Sequence, residues 1–239
     1  MITRRAAIQI GLGALAAACT STEPDIPAGR IEVRPIAGNA SLPPGLHTLA
    51  LEREALLYIP EQHRGAFVLL LHGAGGQPDR ILRRFAGQAD EFAVALLATK
   101  SDGPTWDGIR GVLGTDFQFL KKALYKAFAS CAVDPAHLAI SGFSDGASYA
   151  LSLGVANGDL FSHVMAFSPG FVIPLHRVGR ARIFLSHGTD DPILPIDGAS
   201  RSIARDLRSA GFSVTLREFA GEHTVPPEVA REAFRWLKS

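Results

Sequence analysis

The chain has 239 residues, of which 47% are hydrophobic and 20% are charged, a composition typical of a globular protein. This composition excludes collagen-like, coiled-coil and wholly disordered chains. A chain of this length can bury a complete hydrophobic core. Its 24 Lys and Arg residues against 23 Asp and Glu residues give a formal net charge of +1. Because the basic residues form no block, we expect no nucleic-acid partner.

Residues 1–18 differ in character from the rest of the chain. Arg4 and Arg5 precede an apolar run from Ala6 to Ala18, and the segment holds no acidic residue. Such a run is too short to span a bilayer as a helix but is typical of a signal peptide. The Arg pair resembles a twin-arginine export signal, with the general secretory route as the alternative. Removal of residues 1–18 leaves 22 basic and 23 acidic residues, so the remaining chain carries a net charge of −1.

The sequence from Ala16 to Cys19 resembles the bacterial lipobox, in which the cysteine is acylated and becomes the new N-terminus. We therefore expect an exported lipoprotein of the cell envelope or periplasm that contacts the membrane only through a lipid on Cys19. The alternative is ordinary cleavage after Ala18 without acylation. Residues 19–30 are polar and contain Pro, which predicts a tether, and residues 31–239 form a single folded domain.

Short apolar runs alternate with amphipathic stretches along this domain, which predicts a mostly parallel, twisted α/β sheet of about eight strands with helices on both faces. The first three strand candidates follow one another through turns, so an antiparallel start is expected. The predicted strands are 31–36, 47–51, 55–59, 66–71, 94–98, 137–141, 163–167, 182–186 and 213–218. The predicted helices are 79–92, 116–130, 146–156, 198–210 and 227–238.

Two glycine-rich motifs stand at the ends of predicted strands, where ligands bind in parallel sheets. The first is His72-Gly-Ala-Gly-Gly76, whose small residues allow the backbone to approach a substrate. The second, Gly142-Phe-Ser144-Asp-Gly146, has the G-x-S-x-G form that places a serine on a tight turn between strand and helix. We expect the backbone N–H groups of Ala74 and Asp145 to bind a developing oxyanion.

A nucleophilic serine needs a base, and the base needs an acid that orients it. The 182–186 strand is followed by His187-Gly-Thr-Asp190-Asp191, and the 213–218 strand by Gly221-Glu-His223. These acidic and histidine residues follow Ser144 in the order Ser, Asp, His. His72 and His187 belong to loop motifs and are expected to be structural, and no pair of histidines has metal-ligand spacing.

With these four motifs, the chain resembles the α/β-hydrolase superfamily over residues 50–239. Within it the chain is similar to the phospholipase/carboxylesterase group of small serine esterases, which includes acyl-protein thioesterases. The resemblance implies Ser144 as nucleophile, His223 as general base and acid, and Asp191 as its orienting partner. Asp190 is the alternative for the acid, but the family spacing after His187-Gly188 favours Asp191. Asp145 stands where thioesterase members more often carry Gln.

Three residues are predicted to line a substrate pocket. Trp-Asp segments like Trp106-Asp107 lie close to the active site in related esterases, so Trp106 is expected to contact substrate. Phe171 and Ile173 belong to an apolar loop after the 163–167 strand and should rim the pocket. Only some 14 residues join that strand to the next, which leaves little or no lid and predicts a shallow, solvent-accessible site.

The sequence thus predicts a serine hydrolase that cleaves small-molecule carboxylic esters through an acyl-enzyme, without a metal or organic cofactor. The alternatives on the same fold are a thioesterase, a polyester or feruloyl-type depolymerase, and a peptidase. A non-catalytic binding protein is a further alternative, which an intact Ser, His and Asp set disfavours. The oligomeric state does not follow from the sequence.

Overall fold

The computed structural model describes residues 29–36, 41–111 and 113–239. The predicted signal peptide, Cys19 and the tether up to residue 28 lie outside the described residues. Among those described, no helix is both long and apolar enough to span a bilayer.

Eight strands form one sheet in the described part of the chain, in the spatial order β1-β2-β4-β3-β5-β6-β7-β8. The two contacts of β2, with β1 and β4, are antiparallel, and all other neighbours are parallel. The strands are β1 Gly45–Thr48, β2 Ala55–Ile59, β3 Phe67–Leu71, β4 Ala95–Thr99, β5 Leu138–Phe143, β6 His163–Phe167, β7 Arg182–Gly188 and β8 Val214–Phe219. The predicted mostly parallel sheet with an antiparallel start is confirmed.

Helices cover both faces of the sheet, because its central strands are apolar on both sides and must be buried on both. The helices are α1 Pro78–Phe92, α2 Thr115–Ser130, α3 Asp145–Ala156, α4 Ser202–Ser209 and α5 Pro227–Leu237. Buried side chains of α2, α3 and α4 form one core with one sheet face, whereas those of α1 and α5 form a second core with the other. Leu69 of β3 belongs to the first core and its neighbour Leu70 to the second, as the alternation of side chains along a strand requires.

The predicted strand 31–36 is wrong: the segment pairs with none of the eight strands that the structure describes. Its backbone binds a side chain instead: the Ile31 N–H donates to Oδ1 of Asn157, at the end of α3, at 2.8 Å. The Arg30 guanidinium beside it binds Asp159 at 2.7 Å. Ile31 is fully buried in the first core, and Pro35 has no N–H for a ladder. The alternation of apolar residues predicted correctly which side chains of this segment are buried, but it did not predict what the backbone binds.

Two further boundaries differ from prediction by more than two residues. The first strand is Gly45–Thr48 rather than 47–51. The predicted helix 198–210 begins only at Ser202, because residues 197–201 form a wider turn in which Ala199 leaves helical geometry (φ −104°, ψ −110°). Ser200 in this turn contacts β7, as described below.

Candidate active site

The carboxyl ends of β3, β5, β7 and β8 lie along the same edge of the sheet, and each leads into one of the four motifs. Between β6 and β7, residues 168–181 contain no helix, so the predicted absence of a lid is confirmed. Ala74 and Glu222, in two of the four motifs, are exposed at this edge.

Ser144 occupies a sharp turn between β5 and α3. Its backbone lies in a region that non-glycine residues rarely adopt (φ 56°, ψ −120°), a strain of about 1–3 kcal/mol that the surrounding structure must offset. Gly142 and Gly146 make the turn sterically feasible. A Cβ atom at Gly146 would overlap the carbonyl oxygens of Leu71 and His72, and one at Gly142 would overlap the carbonyl of Gly146. The turn thus holds Ser144 at the sheet edge with its side chain partly exposed.

His223 joins Ser144 to Asp191 through two hydrogen bonds. Its Nε2 lies 2.9 Å from Ser144 Oγ, and its Nδ1 lies 2.6 Å from Asp191 Oδ2. An ionised carboxylate only accepts, so Nδ1 carries the proton and Nε2 is free to accept from the serine hydroxyl. This tautomer is the one that a general base acting on Ser144 requires.

Asp191 is buried and fixed by further donors. Its Oδ1 accepts from the backbone N–H groups of Ile193 and Leu194, both at 2.9 Å. Burial alone would raise the pKa of Asp191, but these backbone donors and His223 together hold that pKa below its usual value. The carboxylate is therefore ionised and aimed at the imidazole. Asp190 is exposed, with Thr189 as its side-chain partner at 3.3 Å.

His187 contacts both Asp191 and the loop that carries it. Its Nε2 lies 2.7 Å from the Leu194 carbonyl and 3.1 Å from Asp191 Oδ2, while its Nδ1 lies 2.7 Å from Ser200 Oγ. Burial lowers the pKa of His187, so the ring is neutral at pH 7. Its Nε2–H then donates to the Leu194 carbonyl, with Asp191 Oδ2 close by, and Nδ1 accepts from the Ser200 hydroxyl. His187 thus orders the loop that carries the acid, in agreement with its expected structural role.

The loop of residues 72–76 passes beside Ser144. Burial also lowers the pKa of His72, and this neutral ring donates through Nδ1 to the Gly73 carbonyl at 2.8 Å. Its Nε2 accepts from the Ser101 N–H at 3.2 Å. The backbone N–H groups of Ala74 and Asp145 have no acceptor among the described residues. Two free N–H groups next to a nucleophile are what an oxyanion site requires.

The carboxylate of Asp145 is turned toward a neighbouring loop. Its Oδ2 accepts a hydrogen bond from Thr105 Oγ1 at 2.7 Å. This orientation satisfies the condition for a carboxylate beside an oxyanion site, since only the backbone N–H of Asp145 remains available to an oxyanion.

Trp106 does not meet the expectation of a substrate contact. Its side chain is fully buried, stacked on Tyr149 with ring centroids 5.7 Å apart, and its Nε1–H donates to the His72 carbonyl at 2.8 Å. The indole fills the space beneath the 72–76 loop and leaves no surface for a ligand. The Trp-Asp segment is therefore close to the active site, but as a support for its backbone.

The sequence analysis missed a buried polar network that braces the same loop. Tyr149 Oη donates to Asp107 at 2.9 Å, and Asp107 accepts from the N–H of Asp116 at 2.8 Å. Asp116 is fully buried and pairs with Arg53. Burial, followed by the charge of Asp107, raises the pKa of Tyr149. The network ties α3 to residues 101–116, and the Trp106-Asp107 pair is the sequence signal that could have pointed to it.

Phe171 and Ile173 line a cleft of about 320 Å³ between the 170–177 loop and α4. Phe171 is 39% exposed, as expected for a rim residue. The loop is attached to the nucleophile helix, since the Gly170 N–H donates to Ser148 Oγ at 2.9 Å, one turn after Ser144. The loop thus contacts the helix that follows Ser144, but Ser144, Asp191 and His223 do not line this cleft, and substrate contact by Phe171 and Ile173 stays a prediction.

This fold and site define the chain as a carboxylic ester hydrolase with the α/β-hydrolase fold. The chain belongs to the phospholipase/carboxylesterase family, whose model matches residues 114–238. That stretch includes Ser144, Asp191 and His223, but it begins after the 72–76 loop.

The chain is also similar to individual esterases in sequence and in structure. NocK of Nocardia uniformis subsp. tsuyamanensis, an esterase by name, is 25% identical over 235 residues, covering 85% of this chain and 68% of NocK. The crystal structure of esterase PE8 has a TM-score of 0.62 at 21% identity, covering 81% of this chain and 98% of PE8. The Bacillus cereus carboxylesterase has a TM-score of 0.60 at 19% identity, covering 79% of this chain and 95% of that enzyme. At these identities the two structures establish the fold.

Proposed function

We propose that the chain is a serine esterase in which Ser144, His223 and Asp191 form the catalytic triad. The observation that carries this proposal is the continuous line of hydrogen bonds, 2.9 Å from Ser144 Oγ to His223 Nε2 and 2.6 Å from His223 Nδ1 to Asp191. A serine hydroxyl is a weak nucleophile without an adjacent base, and a base is effective only in the correct tautomer. The two distances support the proposal because they match both conditions.

In the proposed mechanism, Ser144 Oγ attacks the ester carbonyl while His223 Nε2 takes the hydroxyl proton. Asp191 stabilises the resulting imidazolium, and the N–H groups of Ala74 and Asp145 bind the oxyanion. Collapse of the tetrahedral intermediate breaks the bond to the alcohol oxygen, which receives the proton from His223. Water then attacks the acyl-enzyme with His223 as base, releasing the carboxylic acid and restoring the Ser144 hydroxyl.

The open site favours small or exposed esters over long acyl chains, because no helix in residues 168–181 covers it. The cleft beside Phe171 and Ile173, with a volume of about 320 Å³, has room for a short acyl or alcohol group. We therefore expect 4-nitrophenyl acetate and butyrate to be cleaved with a higher kcat/KM than 4-nitrophenyl decanoate. A rising kcat/KM along this series would contradict the shallow site.

Labelling with a fluorophosphonate tests the proposed function directly, because this probe phosphonylates an activated serine. The wild-type protein is expected to take up one equivalent, and mass spectrometry of the digested protein should place the adduct on Ser144. Ser209, an exposed serine at the end of α4, serves as the internal control and should remain unmodified. A wild-type protein that stays unlabelled while folded would refute the activated serine.

We also propose that the chain is exported and held at the cell envelope by a lipid on Cys19, on the basis of the lipobox-like sequence. Metabolic labelling with a radioactive fatty acid should mark the wild-type protein, and Cys19→Ala should abolish the label. Cys131 is a built-in control, because it is buried and burial raises its pKa to about 12, which makes it a poor acceptor. Label retained in Cys19→Ala would refute acylation at this position.

A further inference from the structure

A second, smaller cleft lies on the α1 side of Ser144. It has a volume of about 170 Å³, and its walls are the 72–76 loop, Phe143 and the first two turns of α1. Two arginines of α1, Arg80 and Arg84, face it. The proposed mechanism uses neither of them.

The cleft adjoins the atoms that react. A Cβ atom built on Gly73 would lie 3.3 Å from Ser144 Cβ, so this wall of the cleft touches the nucleophile. Phe143 immediately precedes Ser144, and its ring centroid lies 4.8 Å from that of His223. The cleft is therefore close enough to Ser144 for one substrate molecule to occupy both.

The two arginines carry positive charge that the rest of the described chain leaves unpaired. Arg80 and Arg84 are exposed, and neither lies within ion-pair distance of a carboxylate in the parts of the chain that the structure describes. Arg83 on the same helix, in contrast, pairs with Asp79 at 2.6 Å. The Arg84 guanidinium lies 5.4 Å from the centroid of the Phe143 ring, a contact that directs it toward the Ser144 turn.

The spacing of the two cations suits one small anion. Residues four apart on a helix are neighbours on the same face, about 5–6 Å apart at Cβ. A guanidinium binds a carboxylate through two parallel N–H···O bonds, and a second guanidinium one turn away can share the other lone pairs. Asp191 and Asp145, two carboxylates beside Ser144, have their own partners, since Asp191 accepts from His223 and Asp145 accepts from Thr105.

We propose that this cleft is a subsite for a carboxylate on the substrate, so that the enzyme prefers esters that carry a second, ionised carboxyl group. The proposal rests on the proposed function, because it assigns a substrate class to the same site. Half-esters of dicarboxylic acids belong to this class: water cleaves the ester bond to give the dicarboxylic acid and the alcohol, and the second carboxylate takes no part in the reaction. Arg80 and Arg84 would select the substrate by binding its carboxylate, whereas Ser144 and His223 would cleave the ester bond.

Two matched pairs of substrates test the proposal. In the first pair the charge is on the acyl side: 4-nitrophenyl hydrogen adipate against its neutral methyl ester. In the second pair it is on the alcohol side: 4-acetoxybenzoate against methyl 4-acetoxybenzoate. In at least one pair, the wild-type enzyme is expected to favour the anionic ester in kcat/KM. Arg80→Gln/Arg84→Gln should lower that preference about tenfold, mainly through KM, since two partly exposed ion pairs together contribute about that factor.

Matched controls separate the subsite from general effects. Arg83→Gln removes a charge from the same helix turn but from an existing ion pair, and it should leave the preference within about twofold of wild type. Raising the ionic strength from about 0.01 to 0.5 M should weaken the preference in the wild type and not in the double variant. Circular dichroism confirms that each variant is folded, as expected for exposed Arg→Gln changes.

The outcomes distinguish the two proposals. The carboxylate subsite is wrong if the double variant keeps the wild-type preference in both pairs, or if the wild type has no preference in either. Continued cleavage of the neutral esters would then leave the proposed function intact. If the folded wild type cleaves none of the four esters and resists the fluorophosphonate, the proposed function itself is wrong, and the subsite falls with it.

Discussion

Ser144→Ala is expected to lower kcat for 4-nitrophenyl acetate by about 10⁴–10⁶-fold while the protein remains folded. Removal of Oγ leaves His223 without an atom to activate, although the N–H groups of Ala74 and Asp145 remain able to bind an oxyanion. The residual rate would then report catalysis by that backbone site alone, through direct attack of water. Initial rates at saturating substrate, with active protein quantified beforehand, measure the effect.

The matched control is Ser209→Ala, which removes an exposed hydroxyl from the end of α4, away from the site. It should retain kcat within about twofold. Ser144→Ala turning over the ester at the wild-type rate would remove Ser144 from the mechanism altogether.

Ser144→Gly adds a measurement that a purely chemical role would not predict. The wild-type residue has φ 56°, a conformation that costs any L-residue energy but costs glycine little. The Gly variant should therefore be as inactive as Ser144→Ala and yet exceed it in free energy of unfolding by about 1 kcal/mol, net of the greater freedom of glycine in the unfolded chain. Urea unfolding of the two variants compares them directly. Equal stability would mean that the turn stores no strain at residue 144.

The sequence could predict that Ser144, Asp191 and His223 come together because each of them belongs to a local pattern. Gly142 and Gly146 are needed because strand and helix backbones nearly touch there. This requirement appears in the sequence as a five-residue motif, G-x-S-x-G. The strand ends were equally accessible, since a fully apolar run such as 67–71 marks a strand buried on both faces. Placing Ser144, Asp191 and His223 at three strand ends of a parallel sheet was then enough to bring them to one edge.

What the sequence could not predict depends on contacts between distant segments. Ile31 appeared to belong to a strand because burial and alternation look alike whether the partner is a strand or the Asn157 side chain. Trp106 was placed near the site but on its accessible surface, because a motif gives proximity and not orientation; the indole points down to the His72 carbonyl. Arg80 and Arg84 passed unnoticed for the same reason, since an exposed helical arginine has no distinguishing local pattern.

Asp191 and Asp190 are adjacent carboxylates of identical chemistry, and the structure gives them sharply different expected effects. Asp191 is buried, lies 2.6 Å from His223 Nδ1 and is held by two backbone N–H groups, whereas Asp190 is exposed and contacts Thr189. Asp191→Asn and Asp190→Asn therefore form a natural pair of variants with the same change of charge.

Asp191→Asn is expected to lower kcat about 10⁴-fold, and Asp190→Asn to change it by no more than about twofold. An asparagine can keep its Oδ1 on the two backbone donors, but its amide group then offers hydrogen to His223 Nδ1. The ring responds by moving its own proton to Nε2, the atom that faces Ser144, and in this tautomer it cannot accept the hydroxyl proton. Activity in Asp191→Asn should consequently recover at high pH only as far as hydroxide replaces the missing base, whereas Asp190→Asn should follow the wild-type pH profile. A larger loss in Asp190→Asn would transfer the acid role to that residue, and it would require the loop after β7 to adopt another conformation when substrate binds.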